Sequence, residues 1–251
     1  MTAQVVIVTG AGMGIGRQSA LAFARAGVSV VVADYNEAAG RDTVELVAAS
    51  GGEGAFVKVD VREEKEVAAM VDFAVATFGG LHFAHNNAGG RPSGAGGGPL
   101  HELTEESWDA LVGLNLKAVW LCMKHEVRHM LGNGGGAIVN TSSSAAYRSS
   151  LTPTWYTAAK NGLTGLTRGA AKEYAAQGIT VNAVAPGVTQ TELVVGMYGE
   201  DGAQALADRL NPTGKLIQPV EIAEAAVWLC TQAPRSITGV TLPVDAGQST
   251  V

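Results

Sequence analysis

The sequence predicts a single doubly wound α/β domain, with a parallel sheet of about seven strands and helices on both faces. Short runs rich in β-branched residues alternate along the chain with longer stretches of helical period, the pattern of β-α-β units. Nearly every residue of these short runs is apolar, as expected for strands that helices cover on both sides. No linker, repeat or low-complexity tract divides residues 1–251, so one domain is expected.

The strands and helices are each predicted from local signals. Asn36 suits the N-cap of the second helix, and Thr104 can cap a long helix that runs to about Leu131. The predicted strands are Val5–Thr9, Val28–Ala33, Gly54–Val59, Leu81–Asn86, Gly136–Thr141, Ile179–Ala183 and Val240–Val244. The predicted helices are Gly14–Ala26, Glu37–Ala49, Glu63–Phe78, Thr104–Leu131, Thr154–Gln177 and Pro219–Thr231.

Two segments fit no strand. Gly89–Pro99 is rich in glycine and is expected to form a mobile loop after the fourth strand. Pro186–Gly214 could contain a short helix. A connection this long in a compact domain is more often a lid than a linker, and we expect a lid over about residues 188–214.

Composition excludes several classes of function. Of the 251 residues, 47% are hydrophobic and 16% are charged, which is typical of a globular protein. The net charge is -6 and no cluster of basic residues could follow a phosphate backbone, so nucleic acid is not an expected partner. No apolar stretch approaches the ~20 residues of a membrane span, and the first apolar run is too short for a signal peptide. We therefore expect a soluble cytoplasmic protein with no membrane partner.

The cysteines and histidines do not indicate a metal site. Cys122 and Cys230 both fall within apolar helical patterns and are predicted to be buried free thiols rather than a disulfide or a metal pair. The five histidines offer no plausible ligand set, so no metal is predicted.

The turn after the first strand carries Gly10, Gly14 and Gly16 and opens directly into a helix. Residues without Cβ let the chain turn sharply and bring backbone N–H groups onto a pyrophosphate. An ordinary glycine-rich turn is the alternative, but the strand–turn–helix context favours a Rossmann-type dinucleotide site. Met13 and Ile15, which lie between the glycines, are assigned to the same site.

Asp34 follows the second strand and indicates which cofactor binds. A carboxylate there can accept both hydroxyls of the adenosine ribose and would repel a 2′-phosphate, although aspartate at a strand end can simply form a turn. Neither Met13 nor Tyr35 brings a positive charge for a phosphate. NAD(H) is therefore predicted in preference to NADP(H), with Tyr35 beside the adenosine.

Further polar residues follow the third and fourth strands. Asp60 could meet the adenine amino group or cap the next helix, and the sequence leaves both open; Val61 follows it. Asn87, Ala88 and Gly89 follow the fourth strand. Ligands of open parallel sheets bind beyond the carboxyl ends of strands, so all these residues are assigned to the cofactor site.

Tyr156 and Lys160 share one face of a predicted helix, one turn apart. A phenol is a poor acid–base catalyst at neutral pH because its unperturbed pKa is about 10. An ammonium ~4–6 Å away stabilises the phenolate by ~3–4 kcal/mol at an effective dielectric constant of 20. The pair therefore suits proton transfer at an alcohol oxygen while hydride moves at its carbon, although such a pair also occurs by chance in many helices.

Six motifs together make the pattern specific. They are Gly10-x-x-x-Gly14-x-Gly16, Asn87-Ala88-Gly89, Asn115, Ser143, Tyr156-x-x-x-Lys160 and Pro186-Gly187. In their order and spacing the sequence resembles the short-chain dehydrogenase/reductases, compact single-domain branch, over nearly its whole length. The resemblance implies an NAD(H)-dependent oxidoreductase.

The resemblance also implies roles for individual residues. Tyr156 would be the acid/base, and Lys160 would lower the tyrosine pKa while it holds the nicotinamide ribose. Ser143 would bind the substrate oxygen, with its neighbours in Ser142–Ser144 as alternatives. Asn115 would anchor a proton-relay water, with a satisfied core amide as the alternative.

Pro186, Gly187 and the segment after them would bind the cofactor at its nicotinamide, with Thr189 in contact through its backbone and Thr191 through its hydroxyl on the carboxamide. Three positions depart from the family pattern. Thr189 stands where an aliphatic residue is commoner, and Asp245-Ala246-Gly247 stands where Asp-Gly-Gly is commoner. His85 stands where an aliphatic residue is usual, and is interpreted either as a group that titrates near the cofactor or as a hydrogen-bonded structural histidine.

The residues expected around the substrate are mostly apolar or aromatic, with no obvious carboxylate-binding pair. They favour a neutral ketone or secondary alcohol. Ser143, Tyr147, Trp155 and Tyr156 are assigned to the substrate. Other expected lining residues are Leu151, Leu193, Val194, Met197 and Tyr198.

The predicted helix with Trp108 and Trp120 is apolar on much of its circumference, which calls for a second packing partner besides the sheet. Members of the family commonly pair such helices between subunits, so a homotetramer is expected, or failing that a dimer. The alternative function is a non-catalytic NAD-binding redox sensor of the same fold. A sensor would not need Asn115, Ser143, Tyr156 and Lys160 all together.

Overall fold

The computed structural model describes residues 4–92, 94–148 and 152–250. Its strands are β1 (Val5–Thr9), β2 (Ser29–Asp34), β3 (Gly54–Lys58), β4 (Phe83–Asn86), β5 (Gly136–Thr141), β6 (Ile179–Pro186) and β7 (Thr241–Val244). They form one parallel sheet in the order β3-β2-β1-β4-β5-β6-β7. The predicted doubly wound fold is confirmed.

The order of the strands reverses beside β1, whose two neighbours are β2 and β4. In the β1–β4 pair, Val6 lies opposite Phe83 and Val8 opposite His85. The chain leaves the two strands toward opposite halves of the sheet, so a crevice forms beyond their carboxyl ends. This crevice is where the predicted site residues meet.

Helices cover both faces of the sheet. They are α1 (Gly14–Arg25), α2 (Glu37–Ala49), α3 (Glu64–Phe78), α4 (Glu105–Val112), α5 (Ala118–Leu131), α6 (Thr154–Tyr174), α7 (Glu192–Leu210) and α8 (Pro219–Thr231). The predicted caps are present: Asn36 accepts from the backbone N–H of Ala39, and Thr104 from that of Ser107.

Alternate side chains of β1 enter two separate cores. Val5 and Ile7 pack with residues of α3, α5 and α6, whereas Val6 and Val8 pack with residues of α1, α2 and α8. All residues of β1, β2, β5 and β6 are buried. Both faces of these strands are therefore closed to water, so the strand ends are fixed in position.

The predicted continuous helix Thr104–Leu131 was wrong at its centre. A π-helical turn over Gly113–Lys117 separates α4 from α5. Within it, the side-chain amide of Asn115 donates to the carbonyls of Leu111 and Gly90. Such turns are frequent at functional sites because they displace one residue from the regular helix.

The segment over about residues 188–214 contains more helix than the predicted short one. α7 has 19 residues and bends at Gly199, whose φ is 70° and ψ is 170°. Gly196, Gly199 and Gly202 weakened the helical prediction, since glycine disfavours helix interiors. β6 also continues to Pro186 rather than ending at Ala183.

Cys122 and Cys230 are buried free thiols, as predicted. Among the described residues, no helix combines the length and the apolar character required to cross a membrane.

Candidate active site

The turn between β1 and α1 depends on a very close backbone approach. A Cβ atom on Gly16 would lie 2.0 Å from the carbonyl oxygen of Gly10, a separation that no side chain tolerates. Gly10 and Gly14 have φ values of 64° and 51°, the left-handed region that favours glycine. The turn presents the first turn of α1 at the crevice, where its N–H groups can bind a phosphate.

Met13 and Ile15 occupy different positions in this turn. Met13 is the N-cap residue of α1, and its side chain is 45% exposed. Ile15 packs its side chain against the core around α1 and α8, which leaves its backbone to face a cofactor.

Arg17 braces the same turn and was missed by the sequence analysis. Its guanidinium donates to the carbonyl of Gly12 and to the hydroxyl of Thr43, and Thr43 in turn donates to the carbonyl of Ala11. The turn is thereby tied to α2. An arginine in the first turn of α1 without a nearby acidic partner in sequence was the available signal.

Asp34 is buried and holds the glycine turn from the side of β2. Its two carboxylate oxygens accept from the backbone N–H groups of Gly12 and Asn36, each at 2.8 Å. The turn-forming role is therefore present in the structure. Each carboxylate oxygen retains a further lone pair, so the same group can still accept from a ribose hydroxyl.

A depression beside Asp34 is lined by Tyr35, Lys58, Asp60 and Glu66. Tyr35 is 75% exposed and is free to lie against an adenosine. Lys58, which the sequence analysis missed, lies opposite Asp34 in the β2–β3 register and pairs with Glu37 at 3.9 Å. The parallel register of two strand ends was the signal that could have located it.

Asp60 does not cap α3, so that alternative is wrong: the N-cap residue is Glu63. The Asp60 carboxylate instead accepts from the backbone and guanidinium of Arg62, and this hydrogen bonding lowers its pKa. Val61 has a buried side chain within the core, so only its backbone is available to a cofactor.

The end of β4 is clamped to the glycine turn. The hydroxyl of Thr9 accepts from the backbone N–H groups of Asn87 and Ala88, at 3.0 and 3.1 Å. The side-chain amide of Asn87 donates to the carbonyls of Thr9 and Gly10, at 3.1 and 3.4 Å. The two strand ends at the switch point therefore form one rigid unit.

Gly89 lies where two functional side chains converge. A Cβ atom at this position would lie 3.1 Å from Asn115 Oδ1 and 3.6 Å from Lys160 Nζ. Asn115 is wholly buried and exchanges two hydrogen bonds with the backbone of Gly90. The side-chain amide of Asn115 is thus fully hydrogen-bonded and positions the Gly89–Gly90 backbone. Its role in anchoring a relay water remains a prediction.

The structure brings Ser143, Tyr156 and Lys160 together beyond the end of β5. Lys160 Nζ donates to the carbonyl of Thr141 at 2.8 Å and lies 5.6 Å from the centre of the Tyr156 ring. Burial lowers the pKa of Lys160 to about 8. Burial also raises the pKa of the Tyr156 phenol, and the hydroxyl of Ser143 opposes that increase.

The three serines after β5 face different partners. Ser143 Oγ accepts from the backbone N–H of Ala145 at 3.1 Å and affects the pKa of Tyr156. Ser142 Oγ instead donates to the main-chain carbonyl of Lys160, within α6. Ser144 begins a short 3₁₀ turn and is buried. This arrangement favours Ser143 as the serine nearest the tyrosine hydroxyl.

The Pro186-Gly187 turn leads to a helix N-terminus above the glycine turn. A Cβ atom on Gly187 would lie 2.9 Å from Asp245 Cα, so the turn packs tightly on the C-terminal segment. Thr189 is buried and donates to the carbonyl of Gly187. The hydroxyl of Thr191 caps α7 by accepting from the N–H of Val194, and its methyl carbon lies 3.2 Å from the Cβ position of Gly14.

The residues assigned to the substrate differ in exposure. Tyr147 is half exposed, and its hydroxyl donates to the carbonyl of Thr241 in β7. Trp155 is buried, with its ring edge-on to that of Tyr156 at 5.4 Å between centres. Leu151 lies outside the described residues. Three lid side chains are exposed: Leu193, Met197 and Tyr198.

The fold and site together define a Rossmann-type protein with a glycine turn at the switch point of its sheet and a serine, a tyrosine and a lysine beyond the end of β5. Residues 10–249 match the family model described as enoyl-(acyl carrier protein) reductase. A short-chain dehydrogenase/reductase of Aspergillus oryzae is 41% identical over 99% of this chain and 95% of its own length. The cyclohexanol dehydrogenase of an Acinetobacter species is 41% identical over 96% of this chain and 93% of its own length.

A solved structure agrees with these sequence relatives. The crystal structure of levodione reductase superposes with a TM-score of 0.92 at 29% identity, covering 99% of this chain and 98% of that one. The chain belongs to the short-chain dehydrogenase/reductase family, whose members use nicotinamide cofactors.

Proposed function

We propose that the protein is an NAD(H)-dependent oxidoreductase that interconverts a neutral ketone and a secondary alcohol, with Tyr156 as the acid/base. One observation carries the proposal. The Lys160 ammonium donates to the carbonyl of Thr141, and its nitrogen lies 5.6 Å from the centre of the Tyr156 ring. Both side chains lie at the edge of the crevice that the glycine turn borders. A cofactor-binding turn beside a charge-assisted phenol favours an enzyme over a redox sensor, which needs only the turn.

The side chains supply the proton chemistry of this reaction. In alcohol oxidation Tyr156, as phenolate, takes the hydroxyl proton of the substrate, and Ser143 donates a hydrogen bond to the same oxygen. Lys160 stabilises the phenolate through its charge. A dinucleotide held by the glycine turn would supply the nicotinamide as acceptor for the hydride of the carbinol carbon. In the opposite direction Tyr156 returns the proton to the ketone oxygen.

The residues at the adenosine end fit NAD(H) better than NADP(H). The Asp34 carboxylate is held 2.8 Å from the N–H of Gly12, where a 2′-phosphate would meet a fixed negative charge. The nearby cations each have a partner: Arg17 donates to the carbonyl of Gly12 and the hydroxyl of Thr43, Arg62 pairs with Asp60, and Lys58 lies 3.9 Å from Glu37. Electrostatics therefore favour a ribose with both hydroxyls free.

The surroundings of the site favour a neutral and cyclic substrate. The side chains available from the lid are apolar or aromatic, and Trp155 backs the Tyr156 ring. Two relatives carry the names cyclohexanol dehydrogenase and levodione reductase. Cyclohexanol is a cyclic secondary alcohol without charge, which matches the class expected from the side chains.

We also propose one catalytic domain that assembles as a homotetramer in the cytoplasm. Trp120 on α5 is 43% exposed and Trp108 on α4 is half-buried, so part of this helical face has no cover within the described chain. Light scattering at micromolar concentration tests the assembly, and a monomer would contradict it.

The test of the activity is turnover of NAD(H) and NADP(H), side by side, across cyclic and acyclic neutral alcohols and ketones, starting with cyclohexanol. Tyr156→Phe should abolish turnover, whereas Tyr174→Phe on the same helix should leave it unchanged. Retained turnover in Tyr156→Phe would refute the assigned acid/base. Tight cofactor binding without turnover on any compound would favour the redox sensor.

A further inference from the structure

His85 is a wholly buried histidine next to the cofactor turn, and the proposed mechanism does not use it. Its Nε2 lies 2.9 Å from the hydroxyl oxygen of Thr141. Its Nδ1 has no hydrogen-bond partner within the described part of the chain. A buried polar nitrogen without a partner is uncommon and calls for a reason.

The hydrogen bonds around Asn87 set the direction of donation. Its Nδ2 lies near the carbonyl oxygens of Thr9 and Gly10, which can only accept. The Asn87 Oδ1 therefore faces the Thr141 hydroxyl, at 3.3 Å. Because that hydroxyl carries a single proton, its donation to Asn87 leaves its oxygen to accept from His85.

This order of donation selects one tautomer of His85. Nε2 carries the proton and donates to Thr141, and Nδ1 is left as a bare lone pair. The opposite tautomer would bury an unpaired N–H group and would also take the Thr141 proton away from Asn87. Unpaired donors are rarer in protein interiors than under-satisfied acceptors, so the first arrangement is the stable one. Burial also lowers the pKa of His85 to about 3, so the ring is neutral near pH 7.

The side-chain amide of Asn87, which ends this series of hydrogen bonds, lies beside Gly10 and Gly16. Asn87 Nδ2 lies 2.7 Å from the Cβ position of Gly16 and 3.3 Å from that of Gly10. A rotation of this amide would place its oxygen against the carbonyls of Thr9 and Gly10, where two acceptors would oppose each other. The orientation of the Asn87 amide is thus coupled to the shape of the turn.

We propose that His85 is a positioning residue for the dinucleotide site: its Nε2–H directs the Thr141 hydroxyl to Asn87, whose amide then holds the glycine turn. The inference rests on the proposed function, because the ligand of the turn is the dinucleotide. An aliphatic residue at this position would leave the Thr141 hydroxyl free to rotate. His85 removes that freedom.

The test is a double-mutant cycle on cofactor affinity, with His85→Val and Thr141→Val made singly and together. Each single substitution should weaken NAD(H) binding by about fivefold, the value of one neutral hydrogen bond. In His85→Val, kcat at saturating cofactor should be retained. The double variant should bind no more weakly than Thr141→Val alone, since His85 acts through that hydroxyl. Thr141→Ser keeps the hydroxyl and should keep wild-type affinity.

His129→Gln is the matched control. His129 also has a buried ring nitrogen without a partner among the described residues, but it lies on α5 near the opposite end of the sheet. Its substitution should leave the NAD(H) dissociation constant unchanged. An effect as large as that of His85→Val would mean that loss of any buried histidine loosens the turn, and would overturn the proposal.

A spectroscopic measurement separates this role from a merely structural one. In ¹⁵N NMR of the wild-type side chains, the histidine whose signals vanish in His85→Val should show a protonated Nε2 and a bare Nδ1. A protonated Nδ1, or strictly additive effects in the cycle, would overturn the proposal. If His85→Val does not fold, the proposal is tested by the NAD(H) affinities of Thr141→Val and Thr141→Ser and by the tautomer of the wild-type histidine. Wild-type protein that binds neither nicotinamide cofactor would overturn the proposed function as well.

Discussion

Lys160 donates a hydrogen bond from Nζ to the main-chain carbonyl of Thr141, at 2.8 Å. The last residue of β5 thereby fixes the buried ammonium in position. The same nitrogen lies 5.6 Å from the centre of the Tyr156 ring, so the charge is held where it can stabilise a phenolate. β5 and α6 together set the distance between Lys160 Nζ and the Tyr156 ring.

Lys160→Met should move the pH dependence of alcohol oxidation to higher pH. Tyr156 must lose its proton to act as a base, and burial raises its pKa while the hydrogen bond with Ser143 opposes that increase. The charge of the Lys160 ammonium stabilises the phenolate. Removal of the charge should raise the midpoint of the kcat/KM profile by about two pH units and lower the rate at pH 7 about 100-fold. Initial rates over a pH series measure this. Lys172→Met, an exposed lysine on the same helix, is the control, and an unshifted midpoint in Lys160→Met would contradict the role.

Gly16→Ala should abolish NAD(H) binding and lower stability. The new methyl group would lie 2.0 Å from the carbonyl oxygen of Gly10, and neither backbone can move without opening the turn. A loss of about 1–3 kcal/mol in the free energy of unfolding is expected, as for an overpacked site. Urea denaturation and cofactor titration measure the two effects. Gly132→Ala, where a Cβ meets its nearest atom at 3.8 Å, should show neither.

The local part of the site was predictable and the long-range part was not. The glycine turn, Asp34 and the Tyr156–Lys160 pair follow from spacing within single elements, because a strand end or a helix face determines their geometry. The π-helical turn at Asn115 depends instead on hydrogen bonds to Gly90, which lies 25 residues away in sequence. The hydrophobic periodicity of the sequence does not indicate a contact between residues so far apart.

The same distinction explains the residues that sequence reasoning missed. Thr141 matters through its carbonyl to Lys160 and its hydroxyl to His85 and Asn87. These partners come from α6, from β4 and from the turn after β4. The lid was underpredicted because glycines lower helix propensity, whereas the Thr191 cap and buried Ala203 and Ala207 stabilise α7 in place. Tertiary contacts decided both cases.

Ala246→Gly should stabilise the protein. Ala246 has a φ of 52° and is the one non-glycine residue with positive φ in the described chain. The left-handed conformation costs a residue with a Cβ about 1–2 kcal/mol, which glycine avoids. We expect a gain of about 1 kcal/mol in the free energy of unfolding, measured by urea denaturation, with unchanged turnover. Ala225→Gly, within α8, should instead destabilise by a similar amount. A loss of stability in Ala246→Gly would show that the strain is absent.

The buried carboxyl group of Glu126 should make the free energy of unfolding depend on pH. Its carboxyl group is wholly buried on α5, with Oε2 accepting from Asn86 and Oε1 without a partner among the described residues. Burial raises its pKa to about 8, well above the value of about 4.3 in an unfolded chain. The folded protein therefore retains a proton that the unfolded chain has lost.

The sign of the effect follows from proton linkage. The contribution is most favourable below the unfolded pKa, falls as pH rises from about 4.3 to 8, and is constant above that. Glu126→Gln keeps the shape and removes the titration, so its free energy of unfolding should exceed that of the wild type by a margin that grows through this window, up to about 5 kcal/mol. Urea denaturation at a series of pH values measures the difference. Glu224→Gln, at an exposed position, is the control, and its free energy of unfolding should change with pH as that of the wild type does. A margin for Glu126→Gln that shrinks as pH rises would mean that Glu126 is ionised in the folded state.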